Sequence, residues 1–257
     1  MNSPKRRLVA GAFALTLVAA ACGGDSDGGS TEPAGDSTEA ASSEPAAGGG
    51  VSGTLVGAGS SAQAAGMQGW QAGFQSLNTD ATIEYDAIGS GGGRELFLSG
   101  GSDFAGSDAA LKDEEFEASK ERCVGDQGAI NLPHYISPIA IPYNLPSVDA
   151  TLNLTPEVVA GIFANTITNW NDPAIAVTND GVELPDLNIN PVHRSDESGT
   201  SENFTDYMSQ SAPAVWTFGE IEIWDDGPGG GEGAQGTSGV VAAVEAGEGS
   251  IGSSLTT

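Results

Sequence analysis

The chain has 257 residues, a length for one large domain or two small ones, and carries 35 acidic side chains against 8 basic ones, a formal net charge of -27. Such a surface repels nucleic acid and anionic membranes as main partners, yet leaves room for a small anion in a local pocket. Two cysteines exclude a disulfide-dense scaffold and a four-thiolate zinc site, while 39% apolar residues suffice for a packed core.

Lys5, Arg6 and Arg7 open the chain, and an apolar run over residues 8–21 follows, broken only by Gly11 and Thr16. At about 14 residues it is short for a transmembrane helix and reads as a secretory signal peptide, residues 1–21. Small residues directly before Cys22 resemble a bacterial lipoprotein signal. That resemblance implies cleavage before Cys22, a lipid on its thiol, and a mature protein anchored to the outer face of the cell membrane. Without residues 1–21 the formal charge becomes -30, and the only basic residues are Arg94, Lys112, Lys120, Arg122 and Arg194. Residues 22–50 contain no aromatic and no large aliphatic side chain. They cannot bury enough apolar surface to offset their ordering entropy, and read as a flexible acidic Gly/Ser stalk.

Folded sequence starts near Val51. Leu55 and Val56 mark a short strand running into Gly57-Ala58-Gly59-Ser60-Ser61. Met67, Trp70, Phe74 and Leu77 recur at steps of three and four, which predicts a helix over about residues 62–78. Ile83, Tyr85 and Ala87 alternate as in a strand and lead into Gly89-Ser90-Gly91-Gly92-Gly93. A short helix holding Leu96, Phe97 and Leu98 comes next, then a strand and turn over residues 103–108. This βαβα order favours an α/β fold, in which ligands bind beyond the carboxyl ends of strands. Residues 131–146 hold four prolines and read as extended chain crossing between domains. Thr155 and Pro156 are a helix cap and first position, with Val158, Val159, Ile162 and Phe163 as the apolar face. Residues 169–173 form a turn. Phe204, Tyr207 and Met208 mark a helix beginning close to Thr200. Residues 225–239, rich in glycine and acids, read as a loop before a short helix at Val240 to Val244.

Four polar, glycine-bearing spots stand at the ends of apolar segments: Gly59-Ser60-Ser61, Gly89-Ser90-Gly91, Ser107-Asp108, and residues 194–200. Glycines allow close backbone approach, hydroxyls and free N–H groups donate, and a helix start near Ser198 or Thr200 presents unpaired donors. Arg194 adds a planar fork suited to an oxyanion. Together they suit a tetrahedral anion. No Gly-x-Ser-x-Gly elbow, P-loop or His-Glu-x-x-His pair argues for an enzyme, and no cofactor is expected. Asp172, Asp180, Asp225 and Asp226 lack the spacing of a calcium loop, so no metal is expected. His193 reads as a structural histidine at a strand end, and Trp170, Trp216 and Trp224 as core or interdomain residues.

Residues 57–61, 85–93 with Arg94 beyond, 103–108, 169–173 and 192–200 resemble the phosphate-binding lipoprotein of bacterial ABC phosphate importers. The resemblance spans roughly residues 53–252. It implies the two-domain periplasmic-binding-protein fold, type II, which closes over one phosphate. It also implies delivery to ABC permease subunits with a cytoplasmic ATPase, and no covalent chemistry. Carried over, the site comprises the Ser61 hydroxyl and N–H, the Ala62 N–H, Ser90, the acceptor Asp108, and Arg194 steadied by Asp196. The helix-start donors Ser198, Gly199 and Thr200 complete it. Ala62 stands where the family usually has phenylalanine. Glu197 stands where many relatives have glycine, so its side chain must point away from the anion. Members usually continue well past the segment at residues 249–252. The resemblance therefore implies truncation at the C-terminus, with a first α/β domain at 51–141 lacking its closing elements and a second at 142–257. With Cys22 lipidated, Cys123 has no partner in the chain. Alternative readings are a surface phosphate sensor or scaffold, a carrier of another oxyanion such as sulfate, and an extracellular hydrolase.

The anchor is directly testable. Mass spectrometry of the mature N-terminus is expected to show a diacylated Cys22, and released protein with an unmodified Cys22 would overturn it.

Overall fold

The structure is a computed structural model and describes residues 50–255. The signal peptide, nearly all of the stalk and Cys22 lie outside the described residues. Strand β1 (Gly53–Gly59) runs into a 3-10 turn, Ser61–Gln63, and then helix α1 (Ala64–Leu77). Strand β2 (Ala81–Asp86), helix α2 (Ser90–Ser99) and strand β3 (Phe104–Gly106) follow. The three strands pair in parallel in the order β2-β1-β3, with each connection made by a helix, as parallel neighbours require. Helix α3 (Asp113–Arg122) comes next; its first turn carries Asp113, Glu114 and Glu115 and its last Lys120 and Arg122, each sign matching the adjacent end of the helix dipole. These elements form the first half of the molecule.

Strand β4 (Ile139–Ala140) belongs to the proline-bearing extended segment. Helix α4 (Pro156–Phe163) starts as its sequence requires: the Thr155 hydroxyl accepts the Val158 N–H, and proline fills the first turn, where no donor is needed. The turn at 169–173 ends in helix α5 (Pro173–Ala176), capped by Asp172, whose Oδ1 accepts the Ala174 N–H at 2.8 Å. Strand β5 (Asn190–Arg194), helix α6 (Gly199–Ser211), strand β6 (Glu232–Ala234), helix α7 (Gly236–Ala246) and strand β7 (Ser250–Gly252) form the second half. Its sheet is again parallel, ordered β6-β5-β7. Strand β8 (Ser254–Leu255) returns to pair antiparallel with β4.

One expectation needs correction, and one helix was not read from the sequence. Residues 225–239 are not one loop: they contain a 3-10 turn at Trp224–Asp226, strand β6 and the start of α7. Strand β6 is only Glu-Gly-Ala, with no apolar alternation to announce it; its order comes from pairing Val192 with Glu232 and Arg194 with Ala234. Helix α3 is likewise absent from a reading based on apolar periodicity, because most of its residues are charged and Phe116 is its only large apolar side chain.

The core is uneven. In the second half Phe163, Trp170, Phe204, Met208, Trp216, Trp224 and Ile251 join one buried cluster. In the first half the buried residues are small or polar, among them Ala58, Ala62, Ser60, Gln63, Ser90 and Arg94. Helix α1 has the predicted apolar stripe but no buried residue, and Trp70, Phe74 and Leu77 remain exposed. With little side-chain bulk between its layers, the first half is held by close backbone approach. A Cβ at Gly93 in α2 would overlap the Cα of Gly59 and lie 2.7 Å from the Ala58 carbonyl oxygen. Gly59 itself has φ +147, in the region that favours glycine.

Two glycine substitutions should therefore move stability in opposite directions. Gly93→Ala is expected to destabilise by about 2 kcal/mol or more, because α2 must move off β1. Gly69→Ala, mid-helix in α1 with nothing near its Cβ position, is expected to stabilise by about 0.5–1 kcal/mol. Urea unfolding of both variants checks the signs.

Candidate functional site

The end of β1 and the start of α6 come together around the carboxylate of Asp108. Ser60 Oγ donates to its Oδ1 at 2.6 Å and Ser90 Oγ to its Oδ2 at 3.3 Å. From the second half, Thr200 Oγ1 donates to Oδ2 at 3.4 Å, and the Asn203 amide donates to the Asp108 carbonyl at 3.1 Å. The Asp108 N–H in turn donates to Ser90 Oγ at 3.2 Å. Gly199 permits this convergence, since a Cβ there would lie 2.7 Å from Ser90 Oγ and 3.0 Å from Asp108 Cβ. Burial pushes the Asp108 carboxyl above its usual range, opposed by the Ser60 bond, the charge of Arg194 and the other hydroxyls.

Arg194 ends β5 and is almost wholly buried. Its Nε donates to Asp196 Oδ1 at 2.7 Å and its Nη2 to Asp196 Oδ2, a bidentate pair that fixes the plane of the fork. Nη1 has no protein acceptor among the described residues, so one edge of the guanidinium remains for another group. Burial works against the Asp196 charge, but the Arg194 fork and the Gly236 N–H, at 3.0 Å, outweigh it and hold its carboxyl below the usual range. The neighbouring His193 ring stacks on Trp224, with centroids 4.8 Å apart and planes 10° from parallel. Its Nδ1 lies 2.9 Å from the Arg194 carbonyl oxygen.

The remaining residues named from the sequence fall on the same junction, several with their groups already engaged. Ser61 Oγ accepts the Thr237 N–H at 3.0 Å and lies 3.1 Å from Thr237 Oγ1, bridging the start of α1 to the start of α7. The Ala62 N–H donates to Ser60 Oγ at 3.1 Å, an N-cap of the 3-10 turn. Ser198 caps α6 by accepting the Ser201 N–H at 3.3 Å, which leaves the N–H groups of Gly199 and Thr200 in the first turn. The Glu197 side chain lies against Gly91 in the first turn of α2, where a Cβ would overlap it. Burial first, then Glu222, raises the Glu197 carboxyl.

Two participants, Tyr85 and Thr237, were not read from the sequence as site residues, and Ser60 was read only as part of the Gly59-Ser60-Ser61 spot. Ser60, rather than Ser61, makes the short bond to Asp108. Tyr85 donates its hydroxyl to the Ser60 carbonyl at 2.9 Å, and burial followed by the nearby Asp108 charge keeps that hydroxyl protonated far into the alkaline range. Thr237 stands in the stretch expected to be a loop. A cavity of about 380 Å³ opens beside this cluster, with Gln63, Asp108, Asn131, His134, Tyr135 and Asn203 in its wall.

Residues 44–256 match the PBP superfamily domain. The chain belongs to the PBP superfamily. Among curated members it is 42% identical to the phosphate-binding protein PstS 3 of Mycobacterium leprae over 198 residues, 77% of this chain and 52% of the relative. It is 38% identical to PstS 2 of Mycobacterium tuberculosis over 238 residues, 92% of this chain and 61% of the relative. The chain thus spans about half to three fifths of the length of these relatives. Among solved structures, the phosphate-binding protein of Stenotrophomonas maltophilia aligns with a TM-score of 0.60 at 24% identity, covering 80% of this chain and 61% of that one. A high-affinity periplasmic phosphate-binding protein solved with phosphate, PfluDING, aligns with a TM-score of 0.60 at 25% identity, covering 79% and 56%. The α/β architecture is that of this superfamily.

In this PBP superfamily chain the first turn of α6 also carries Glu202, which is buried. No donor reaches its Oε2 among the described residues. Burial, Glu220 and Glu222 push its carboxyl up to about 7, against the opposing charges of Lys112 and Arg94. A folded-state value above the unfolded one means the native protein holds more protons between about pH 4.5 and 7, so stability falls as pH rises through that window. Glu202→Gln removes this contribution. The melting temperature of the variant relative to wild type is expected to increase from pH 5 to pH 7.5 and then level off; a constant difference would overturn the assignment.

Proposed function

We propose that the chain binds inorganic phosphate outside the cell membrane and delivers it to ABC permease subunits driven by a cytoplasmic ATPase. The observation that carries this reading is the shared placement of an acceptor, Asp108, and a cation, Arg194, among hydroxyl and helix-start donors. Phosphate near neutral pH keeps a proton and offers acceptor oxygens as well, so it uses both groups at once. Ser90 and Thr200 hold Asp108 at 3.3 and 3.4 Å, bonds long enough to be exchanged for bonds to an anion when their hydroxyls rotate. The binding set is Ser61, Ala62, Ser90, Asp108, Arg194, Ser198, Gly199 and Thr200, joined by Ser60, with Asp196 orienting the arginine. The names of the mycobacterial relatives support the phosphate reading.

In this reading the ligand is carried rather than transformed. His193 is stacked on Trp224 and bonded to backbone, which does not suit a general base. The two halves act as domains at 51–141 and 142–257 that close on the anion, and a lipid on Cys22 holds the protein at the membrane.

Sulfate carries no proton at neutral pH, so beside Asp108 it meets only repulsion. That favours phosphate by at least about 100-fold. Arg194→Ala is expected to weaken phosphate binding by about 100-fold, through loss of charge-assisted bonds. Asp108→Asn should weaken it less and narrow the advantage over sulfate, because an amide can donate to an oxyanion. Calorimetric titration with both anions at fixed ionic strength is the test. Wild-type protein binding sulfate as tightly as phosphate would sink the reading.

A further inference from the structure

Helix α7 begins without a cap of its own. Its N-cap residue is Gln235, whose side chain makes no capping bond, and its first residue, Gly236, has φ +69, in the left-handed region that favours glycine. The orphan N–H groups of its first turn are satisfied from elsewhere. The Gly236 N–H donates to Asp196 Oδ1 at 3.0 Å, and the Thr237 N–H donates to Ser61 Oγ at 3.0 Å. The start of α7 is therefore tied both to the carboxylate that orients Arg194 and to a hydroxyl of the binding set.

The tie to Ser61 bears on how that hydroxyl can act. A serine hydroxyl has one proton to give and two lone pairs to fill. The Thr237 N–H fills one of them. Thr237 Oγ1 lies 3.1 Å from the same oxygen, and when its hydroxyl donates, the second lone pair is filled as well. Ser61 then has nothing left to accept with and one proton left to donate. The opposite arrangement spends that proton on Thr237 Oγ1. An oxyanion meets hydroxyl donors with acceptor oxygens, so it selects the first arrangement: the anion takes the Ser61 proton while Thr237 gives its own to Ser61.

We propose that Thr237 is a positioning residue for phosphate binding, which sets the Ser61 hydroxyl as a dedicated donor without itself touching the anion. The proposal deepens the phosphate reading above and rests on it. Ser61 lies in the first half and Thr237 in the second, so the relay operates once the halves have met on the anion. Ser61 donates to an oxygen of phosphate or of sulfate alike. Thr237 thus tunes affinity, whereas Asp108 tunes the choice between anions.

Calorimetric titration of inorganic phosphate into the full chain and its variants is the test. Thr237→Val keeps the backbone N–H and the shape but removes the hydroxyl, and is expected to raise Kd about three- to ten-fold. Thr237→Ser restores a hydroxyl and should stay within about two-fold of wild type. Ser61→Ala removes the donor itself and should raise Kd about 10-fold or more, as loss of a bond to a charged group. The double variant decides. With Ser61 replaced by alanine there is no hydroxyl left to orient, so Thr237→Val should add less than about two-fold. Penalties that multiply in the double variant overturn the proposal, because Thr237 would then act by seating α7 against Asp196 and Arg194. An unchanged Kd in Thr237→Val overturns it too, as does failure of Thr237→Ser to bind like wild type. Should Thr237→Val not fold, Thr237→Ala enters the same cycle. Wild-type protein that does not bind phosphate rejects the phosphate reading itself, a result distinct from multiplying penalties in a protein that binds.

Discussion

Burying the carboxylate of Asp108 imposes a demand that the rest of the junction answers. A carboxylate withdrawn from water must be given donors or neutralised. Ser60 and Ser90 supply them from one half and Thr200 from the other, with the Arg194 charge nearby. Because the donors come from both sides, satisfying Asp108 also fixes how β1, α2 and α6 approach one another. The acidity of the chain sharpens this. With so few cations available, the placement of each decides which carboxylates can be buried: Arg194 serves Asp196, while Arg94 and Lys112 serve Glu222.

The two halves meet this demand with different materials. The second half packs Phe163, Phe204, Trp216 and Trp224 around α4 and α6, a rigid base for Arg194 and the α6 start. The first half has alanines, serines and glycines at the equivalent depth, and is defined by backbone contact and polar bonds. Polar bonds are directional and exchangeable, whereas a packed aromatic cluster is neither. The acceptor Asp108 thus sits on the more adjustable side and the cation on the more fixed one.

What the sequence revealed was local. The α1 helix, the Thr155-Pro156 start and the turn at residues 169–173 depend on neighbours within a few residues, and each forms as the pattern predicts, while the Asp172 cap of α5 was not read. The glycine and hydroxyl spots at strand ends were visible for the same reason, and the structure brings them to one place. Partnerships across the chain were not. Glu222 meets Arg94 from 128 residues away, and nothing in either neighbourhood marks the pair. Ser60 and Ser61 are adjacent hydroxyls, and only the direction of the chain leaving β1 determines that Ser60 faces Asp108 while Ser61 faces Thr237. Strand β6 owes its existence to β5 rather than to its own residues.

The ring stack at the end of β5 has a spectroscopic consequence. Trp224 lies two residues after Glu222, and its indole is stacked on His193, whose backbone continues directly into Arg194. Indole emission responds to the position and polarity of such close neighbours. Trp170, by comparison, is fully buried in the core with its Nε1 tied to the Gly249 carbonyl. The fold therefore places one intrinsic fluorophore, Trp224, against the residue that leads into the arginine, while another, Trp170, packs against Tyr143 instead.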